Sequence, residues 1–357
     1  MTQEPMKPHT ESWMQAATRL TRAGRLQAAT EALVAGLQGR QPAPAAAEVI
    51  DIQARELGAA GPAAQADGER FIAGRHDGRA GSRDYKLYLP PGAAEGPRPL
   101  LVMLHGCTQD PDDFAAGTRM NEAARERGWC VLYPAQAQEV NPSRCWNWFK
   151  QSHQQRGRGE PELLAGMTRE VMAAHGLDAG GVFVAGLSAG GAMAAILGAA
   201  YPELFAAVGV HSGLPVGAAS DANSAFAAMR GGAVTPGSAG EAAASPPTIV
   251  FHGDQDATVH PVNGQRVAAA AARGAAAEAP QRLAAINGRD CTRTRWRDAA
   301  GRVVAEHWLV HGAGHAWSGG SASGSHSDVR GPSASAEMLR FFAEHLLRVD
   351  RSAKSGR

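Results

Sequence analysis

The stretch GVFVAGLSAGGAMAAILGAA, residues 181–200, decides how this chain folds. Its first part is a short apolar run without polar alternation, as expected of a strand buried on both faces. Its last part is rich in Ala, as expected of a helix. Between them Gly186-Leu187-Ser188-Ala189-Gly190 fits the pattern G-x-S-x-G. In a chain with 43 glycines that pattern alone is weak. The strand–turn–helix setting strengthens it, because a sharp turn needs small neighbours where helix and strand approach closely. Such a turn aims the helix N-terminus, with its free N–H groups and positive dipole, at the Ser188 hydroxyl.

Short apolar runs with turn residues at their ends recur on either side. They are PLLVMLHG (99–106), GWCVLYP (128–134), AAVGVHSG (206–213), TIVFHGDQD (248–256) and EHWLVHGAGH (306–315). Helical stretches are expected between most of them, over 113–127, 161–175, 190–200 and 263–274. Alternation over 70–75 and 84–90 predicts a leading antiparallel pair. The rhythm predicts an α/β fold, a mostly parallel central sheet flanked by helices. The catalytic domain is assigned to 69–347, closing on a helix over 335–347, with a flexible tail at 348–357. Residues 214–246, rich in Ala, Gly, Ser and Pro, are expected to be a loop-rich excursion.

Ahead of this domain, Trp13, Ala16, Leu20, Leu26, Ala29, Leu33 and Leu37 recur at helical spacing. An N-terminal helical hairpin extension over 1–39 is expected, serving either as packing or dimer contact or as a docking device. Residues 40–68, rich in Pro, Ala and Gly, form the expected linker.

With 35 basic and 34 acidic residues the net charge is +1, so nothing electrostatic points to nucleic acid. No apolar run is long enough to predict a membrane span. The N-terminus, MTQEPMKPHTESW, lacks an apolar stretch and a small-residue cleavage site, which taken literally predicts a cytoplasmic location. Cys107, Cys130, Cys145 and Cys291 have no CxxC spacing, so no metal site is expected. Four thiols or two disulfides fit equally.

A serine hydroxyl needs a base to become a nucleophile. His315 follows the last apolar run in a loop loosened by Gly312 and Gly314. That histidine needs a carboxylate to fix its tautomer. Asp256 ends the run before it; Asp254 is the rival, closer to the strand end. The order Ser, Asp, His is that of α/β-hydrolases, and not of chymotrypsin or subtilisin. Oxyanion donors are then expected from the backbone N–H groups of Ala189 and of Cys107, which follows LLVMLHG. His105 is expected to be structural, and Cys107 lacks a base that would make its thiol a nucleophile. The aromatic cluster Cys145-Trp146-Asn147-Trp148-Phe149 is either a pocket wall, through Trp146 and Trp148, or a satellite core. Trp317, just past His315, is expected to line the substrate pocket. No cofactor is required.

The motifs LHGCTQ (104–109), CWNWF (145–149), GLSAGGAMA (186–194), HSGLPVGAA (211–219), HGDQDATV (252–259) and GAGHAWSGG (312–320) together resemble the polyhydroxybutyrate (short-chain-length polyhydroxyalkanoate) depolymerase family of esterases. The resemblance covers about residues 80–347. It implies a triad of Ser188, Asp256 and His315, a Cys107 N–H in the oxyanion hole and a Cys107–Cys145 disulfide bracing it. It also implies a serine esterase acting on polyesters or hydroxyalkanoate oligomers through an acyl-enzyme, with a polyhydroxyalkanoate granule surface as a partner. Feruloyl or acetyl-xylan esterases, or a general short-chain carboxylesterase, are the alternative. A granule-binding protein with a vestigial hydrolase domain is the alternative of another class. Secreted family members carry a signal peptide, which is not seen here, and cytoplasmic thiols are normally reduced.

Overall fold

A computed structural model describes residues 68–92, 97–232 and 245–346, all within the unit Pro62–Arg357. The hairpin expected over 1–39 and the tail over 348–357 lie outside the described residues, as does the 40–68 linker apart from Gly68.

The chain opens with an antiparallel hairpin of β1 (Arg70–Gly78) and β2 (Gly81–Leu89). The expected apolar runs follow as β3 (Leu100–Leu104), β4 (Cys130–Pro134), β5 (Val182–Leu187), β6 (Ala207–His211), β7 (Thr248–Gly253) and, later, β11 (Val303–Val310). These six pair in parallel, in the order β4-β3-β5-β6-β7-β11, and the β1–β2 hairpin extends the sheet beyond β4. The missing polar alternation has a direct cause. Leu100, Val102, Val184 and Val250 face one apolar cluster, while Leu101, Met103, Phe183 and Phe251 face the other. Both sheet faces are covered.

The covering helices are α1 (Pro111–Thr118), α2 (Met120–Arg127), α3 (Gly159–His175), α4 (Ala189–Ala200), α5 (Ala222–Met229), α6 (Val262–Ala271) and α7 (Ala334–Glu344). The single helix expected over 113–127 is two. Arg119 adopts a left-handed φ of 54° that caps the first and starts the second, and the Thr118 hydroxyl turns back onto the Phe114 carbonyl. The excursion at 214–246 is not all loop, since α5 begins there with a capping box of Asp221 and Ser224.

The sequence reading passed over an antiparallel flank: β8 (Ala276–Ala277), β9 (Gln281–Ile286) and β10 (Arg289–Arg297) extend the sheet beyond β11. A separate short parallel pair, β12 (Trp317–Ser318) and β13 (Ser327–Asp328), forms a second sheet. No helix among the described residues is long and apolar enough to cross a membrane.

Candidate active site

In a parallel sheet the loops at the C-terminal strand ends share one edge. Ser188 follows β5, Asp256 follows β7 and His315 follows β11, so the topology brings all three to that edge. Ser188 sits at φ 58° and ψ −118° between strand and helix. The turn is possible only because its flanking glycines have no side chain. A Cβ on Gly190 would lie 2.0 Å from the Leu104 carbonyl oxygen, and one on Gly186 would lie 2.4 Å from the Gly190 backbone. Positive φ at a non-glycine residue costs on the order of 1–3 kcal/mol, and its persistence marks a constrained site.

Asp256 is enclosed, and each carboxylate oxygen has its own task. Oδ1 accepts the backbone N–H groups of Thr258 and Val259 at 2.9 and 2.8 Å. Oδ2 accepts His315 Nδ1–H at 2.7 Å, with His252 Nε2 at 3.4 Å. Burial pushes this carboxyl up, but the hydrogen bonds from His252 and His315 outweigh it and hold it well below the usual carboxylate range. The pairing leaves His315 Nε2 as the basic nitrogen. His252 is fixed in the opposite tautomer, because its Nε2–H also donates to the Val259 carbonyl at 2.8 Å. The rival Asp254 is engaged elsewhere. It accepts from His311 Nδ1 at 2.9 Å and from the Gly312 N–H at 2.7 Å, and so braces the base of the His315 loop.

A residue that sequence reasoning did not assign links the two halves of the site. The His211 carbonyl accepts the Ser188 N–H at 2.8 Å. Its Nε2 accepts the Ser318 N–H at 3.0 Å, just past His315. An accepting Nε2 puts the proton on Nδ1, which donates to the Ser212 hydroxyl at 3.1 Å. The ring stacks on Trp317 and Phe251. Burial lowers its pKa to about 3, so it is neutral at physiological pH. The motif HSGLPVGAA was the available signal, but nothing local in it reveals a contact with residue 318.

On the other side of Ser188, a Cβ on Gly106 would lie 3.7 Å from that of Ser188, so the loop after β3 borders the elbow. The next amide, Cys107 N–H, and the Ala189 N–H at the start of α4 are not committed to an acceptor among the described residues. The orientation of the Cys107 N–H is set through its own peptide plane. His105 Nδ1–H donates to the Gly106 carbonyl at 2.7 Å, and His105 Nε2 accepts the Gln136 N–H at 3.1 Å. His105 therefore holds the loop, and burial lowers its pKa to about 4.

A disulfide joins Cys107 to Cys145, while Cys130 and Cys291 are buried thiols. Beyond Cys145 the loop is organised around buried Glu160, which accepts the Asn147 N–H and Nδ2–H at 2.7 Å each and Gln136 Nε2–H at 2.5 Å.

The tryptophans are a correction. Trp146 and Trp317 are enclosed at 0% and 1% exposure, and Trp148 shows only 6%. Trp146 donates to the His105 carbonyl and Trp317 to the Ser335 hydroxyl. Trp146 and Trp148 belong to the core on one face of the sheet and Trp317 to the core on the other. At that burial none offers an open ring face to solvent. They support the loops that carry the polar groups.

Comparison with known proteins agrees with this fold. The family model described as esterase PHB depolymerase matches residues 83–286. Poly(3-hydroxyalkanoate) depolymerase C of Paucimonas lemoignei is 34% identical over 175 residues, covering 46% of this chain and 42% of the relative. Acetylxylan esterase A of Talaromyces purpureogenus is 29% identical over 208 residues, covering 54% and 53% respectively. The chain thus spans about half the length of these curated relatives. Among solved structures, an acetyl xylan esterase from Aspergillus awamori superposes with a TM-score of 0.60 at 21% identity, over 76% of this chain and 99% of that one. That likeness establishes the α/β-hydrolase fold.

Proposed function

The chain belongs to the esterase PHB depolymerase family, and on that premise we propose that it is a serine esterase cleaving poly(3-hydroxybutyrate)-type polyesters or hydroxyalkanoate oligomers through an acyl-enzyme. The observation that carries the reading is the 2.7 Å bond between His315 Nδ1 and Asp256 Oδ2, at the sheet edge where Ser188 stands on a strained turn. His315 Nε2 takes the Ser188 proton as the hydroxyl oxygen attacks the ester carbonyl. The Cys107 and Ala189 N–H groups hold the oxyanion. His315 then protonates the departing alkoxide and later activates water to release the acid.

The test is Ser188→Ala with its fold checked by circular dichroism. Hydrolysis of p-nitrophenyl butyrate and of 3-hydroxybutyrate oligomers should fall by about 10⁴-fold or more. Retained turnover by a folded variant overturns the mechanism. A vestigial hydrolase domain would have no need of the paired Asp256 and His315.

A second reading, an esterase of acetylated or feruloylated xylan, is favoured by the relative from Talaromyces purpureogenus. Relative kcat/KM on 3-hydroxybutyrate oligomers, acetylated xylan and feruloyl esters decides between the two. Binding to a polyhydroxyalkanoate granule surface is the further part of the proposal. Deletion of residues 1–68 tests it, and unchanged association of the truncated chain removes any role for that segment.

A further inference from the structure

Beside His315 stands a second imidazole that the triad does not use. The ring centroids of His315 and His326 are 6.5 Å apart, with the planes at 77°. The His326 ring makes no hydrogen bond among the described residues and is exposed. Its backbone has a φ of 49°, in the left-handed region that few non-glycine residues adopt.

The surrounding structure holds that conformation from several directions. The His326 carbonyl accepts the Trp317 N–H at 2.7 Å. The preceding Ser325 donates its N–H and hydroxyl to Asp113 at 2.7 and 2.6 Å. Its carbonyl accepts Gln109 Nε2–H at 3.1 Å, and Gln109 Oε1 accepts the Gly106 N–H at 2.9 Å. One network therefore fixes His326 relative to both His315 and the Cys107 loop. A residue held so firmly at a left-handed φ, with both ring nitrogens unengaged by the described residues, is organised to meet something outside the protein.

We propose that His326 contacts the substrate, donating a ring N–H to an oxygen on the alcohol side of the scissile ester. The proposal rests on the esterase reading above and deepens it. His315 delivers its proton to the leaving oxygen, so a group one ring away from His315 borders the leaving alcohol. The alcohol of a 3-hydroxyalkanoate linkage carries a carbonyl two carbons from its carbinol carbon, within reach of such a donor. Local desolvation and then the neighbouring His315 lower the His326 pKa, against the opposing charge of Asp113. The ring is thus mostly neutral near pH 7, with one N–H to give.

The test uses two esters that form the same butyryl-enzyme, p-nitrophenyl butyrate and methyl 3-butyryloxybutanoate, and compares their kcat/KM. His326→Gly suits the left-handed backbone, so its thermal midpoint should not drop. Its kcat/KM on methyl 3-butyryloxybutanoate should fall at least about tenfold further than on p-nitrophenyl butyrate. His326→Asn also tolerates this backbone and keeps an N–H donor, and should recover most of the difference. A ratio within about twofold of wild type in a folded Gly variant overturns the proposal. If the Gly variant does not fold, the Asn variant against His326→Asp, which lacks the donor, decides: equal ratios in the two overturn it. Wild-type turnover of p-nitrophenyl butyrate, lost in Ser188→Ala, tests the esterase reading separately, since it does not depend on a carbonyl in the alcohol.

Discussion

His211 Nε2 accepts the Ser318 backbone N–H at 3.0 Å, and through this bond the loop carrying His315 is referenced to the strand that abuts the Ser188 elbow. His211→Phe keeps a flat ring for Trp317 and Phe251 but leaves the Ser318 N–H without its acceptor. An unsatisfied buried donor costs about 1–3 kcal/mol, so urea unfolding should shift by that amount. A shift of the loop by a fraction of an ångström should lower kcat on p-nitrophenyl butyrate by about ten- to a hundredfold. An unchanged kcat in a destabilised variant shows that His211 supports only the core.

The two aspartates of HGDQD should separate cleanly in kinetics. Asp256→Asn can still accept from the Thr258 and Val259 N–H groups, but it no longer balances a protonated His315. It should lower kcat by about 10⁴-fold with little change in KM. Asp254→Asn loosens the bonds to His311 and Gly312, remote from the reacting atoms, and should lower kcat by less than about tenfold. The reverse ranking makes Asp254 the acid.

What the sequence made legible follows from how far each signal reaches along the chain. Ser188, Asp256 and His315 each sit at the end of a strand that an apolar run announces, so topology alone assembles them. His211 and His252 act through partners known only after folding; residue 211 meets residue 318, and nothing near either discloses it. The flank Gln281–Ile286 and Arg289–Arg297 was missed because its residues are mostly exposed or half-buried, so no apolar run marks it. For Trp146 and Trp148 the burial favours the satellite-core alternative over the pocket wall, and Trp317, expected in the wall because it follows His315, is buried as well. Their indole rings instead fill the cores beneath the loops.

Acid should destabilise this protein well above the carboxylate range. Burial lowers His105 to about 4, His211 to about 3 and His307 to about 4, against about 6.5 in the unfolded chain. Between those values the unfolded chain binds protons that the folded chain refuses. Stability is therefore full at and above pH 7 and falls as pH drops from about 6.5 toward 4, by a few kcal/mol per histidine at most. Asp256 and Glu160, both depressed, lose their contributions lower still, while Glu306, raised by burial, opposes the trend. Urea midpoints at pH 7.5, 6 and 5 should decline in that order. His307 has a buried Nε2 without a partner among the described residues, so His307→Leu should flatten the decline and raise the midpoint at pH 5. A flat wild-type profile between pH 7.5 and 5 refutes the account.

The Cys107–Cys145 disulfide and the His105 ring hold the same loop in different ways, so their removal should have different signatures. The disulfide closes a separation of 38 residues, a constraint worth on the order of 2–4 kcal/mol through the unfolded chain. When it is reduced, the Gly106 carbonyl keeps its bond from His105, and Gln136 Nε2–H keeps the Cys145 carbonyl at 2.9 Å. The Cys107 N–H is therefore still aimed at the site. Reduction, or Cys145→Ser, should lower the thermal midpoint clearly while kcat at a temperature well below it falls by less than about tenfold. His105→Phe releases the Gly106 carbonyl, and the peptide that presents the Cys107 N–H is free to rotate. Losing one oxyanion donor costs about 10²–10³ in kcat, and this variant should approach that loss with its disulfide intact. If reduction alone produces the larger loss of kcat, the covalent bridge orients the donor and His105 merely fills space.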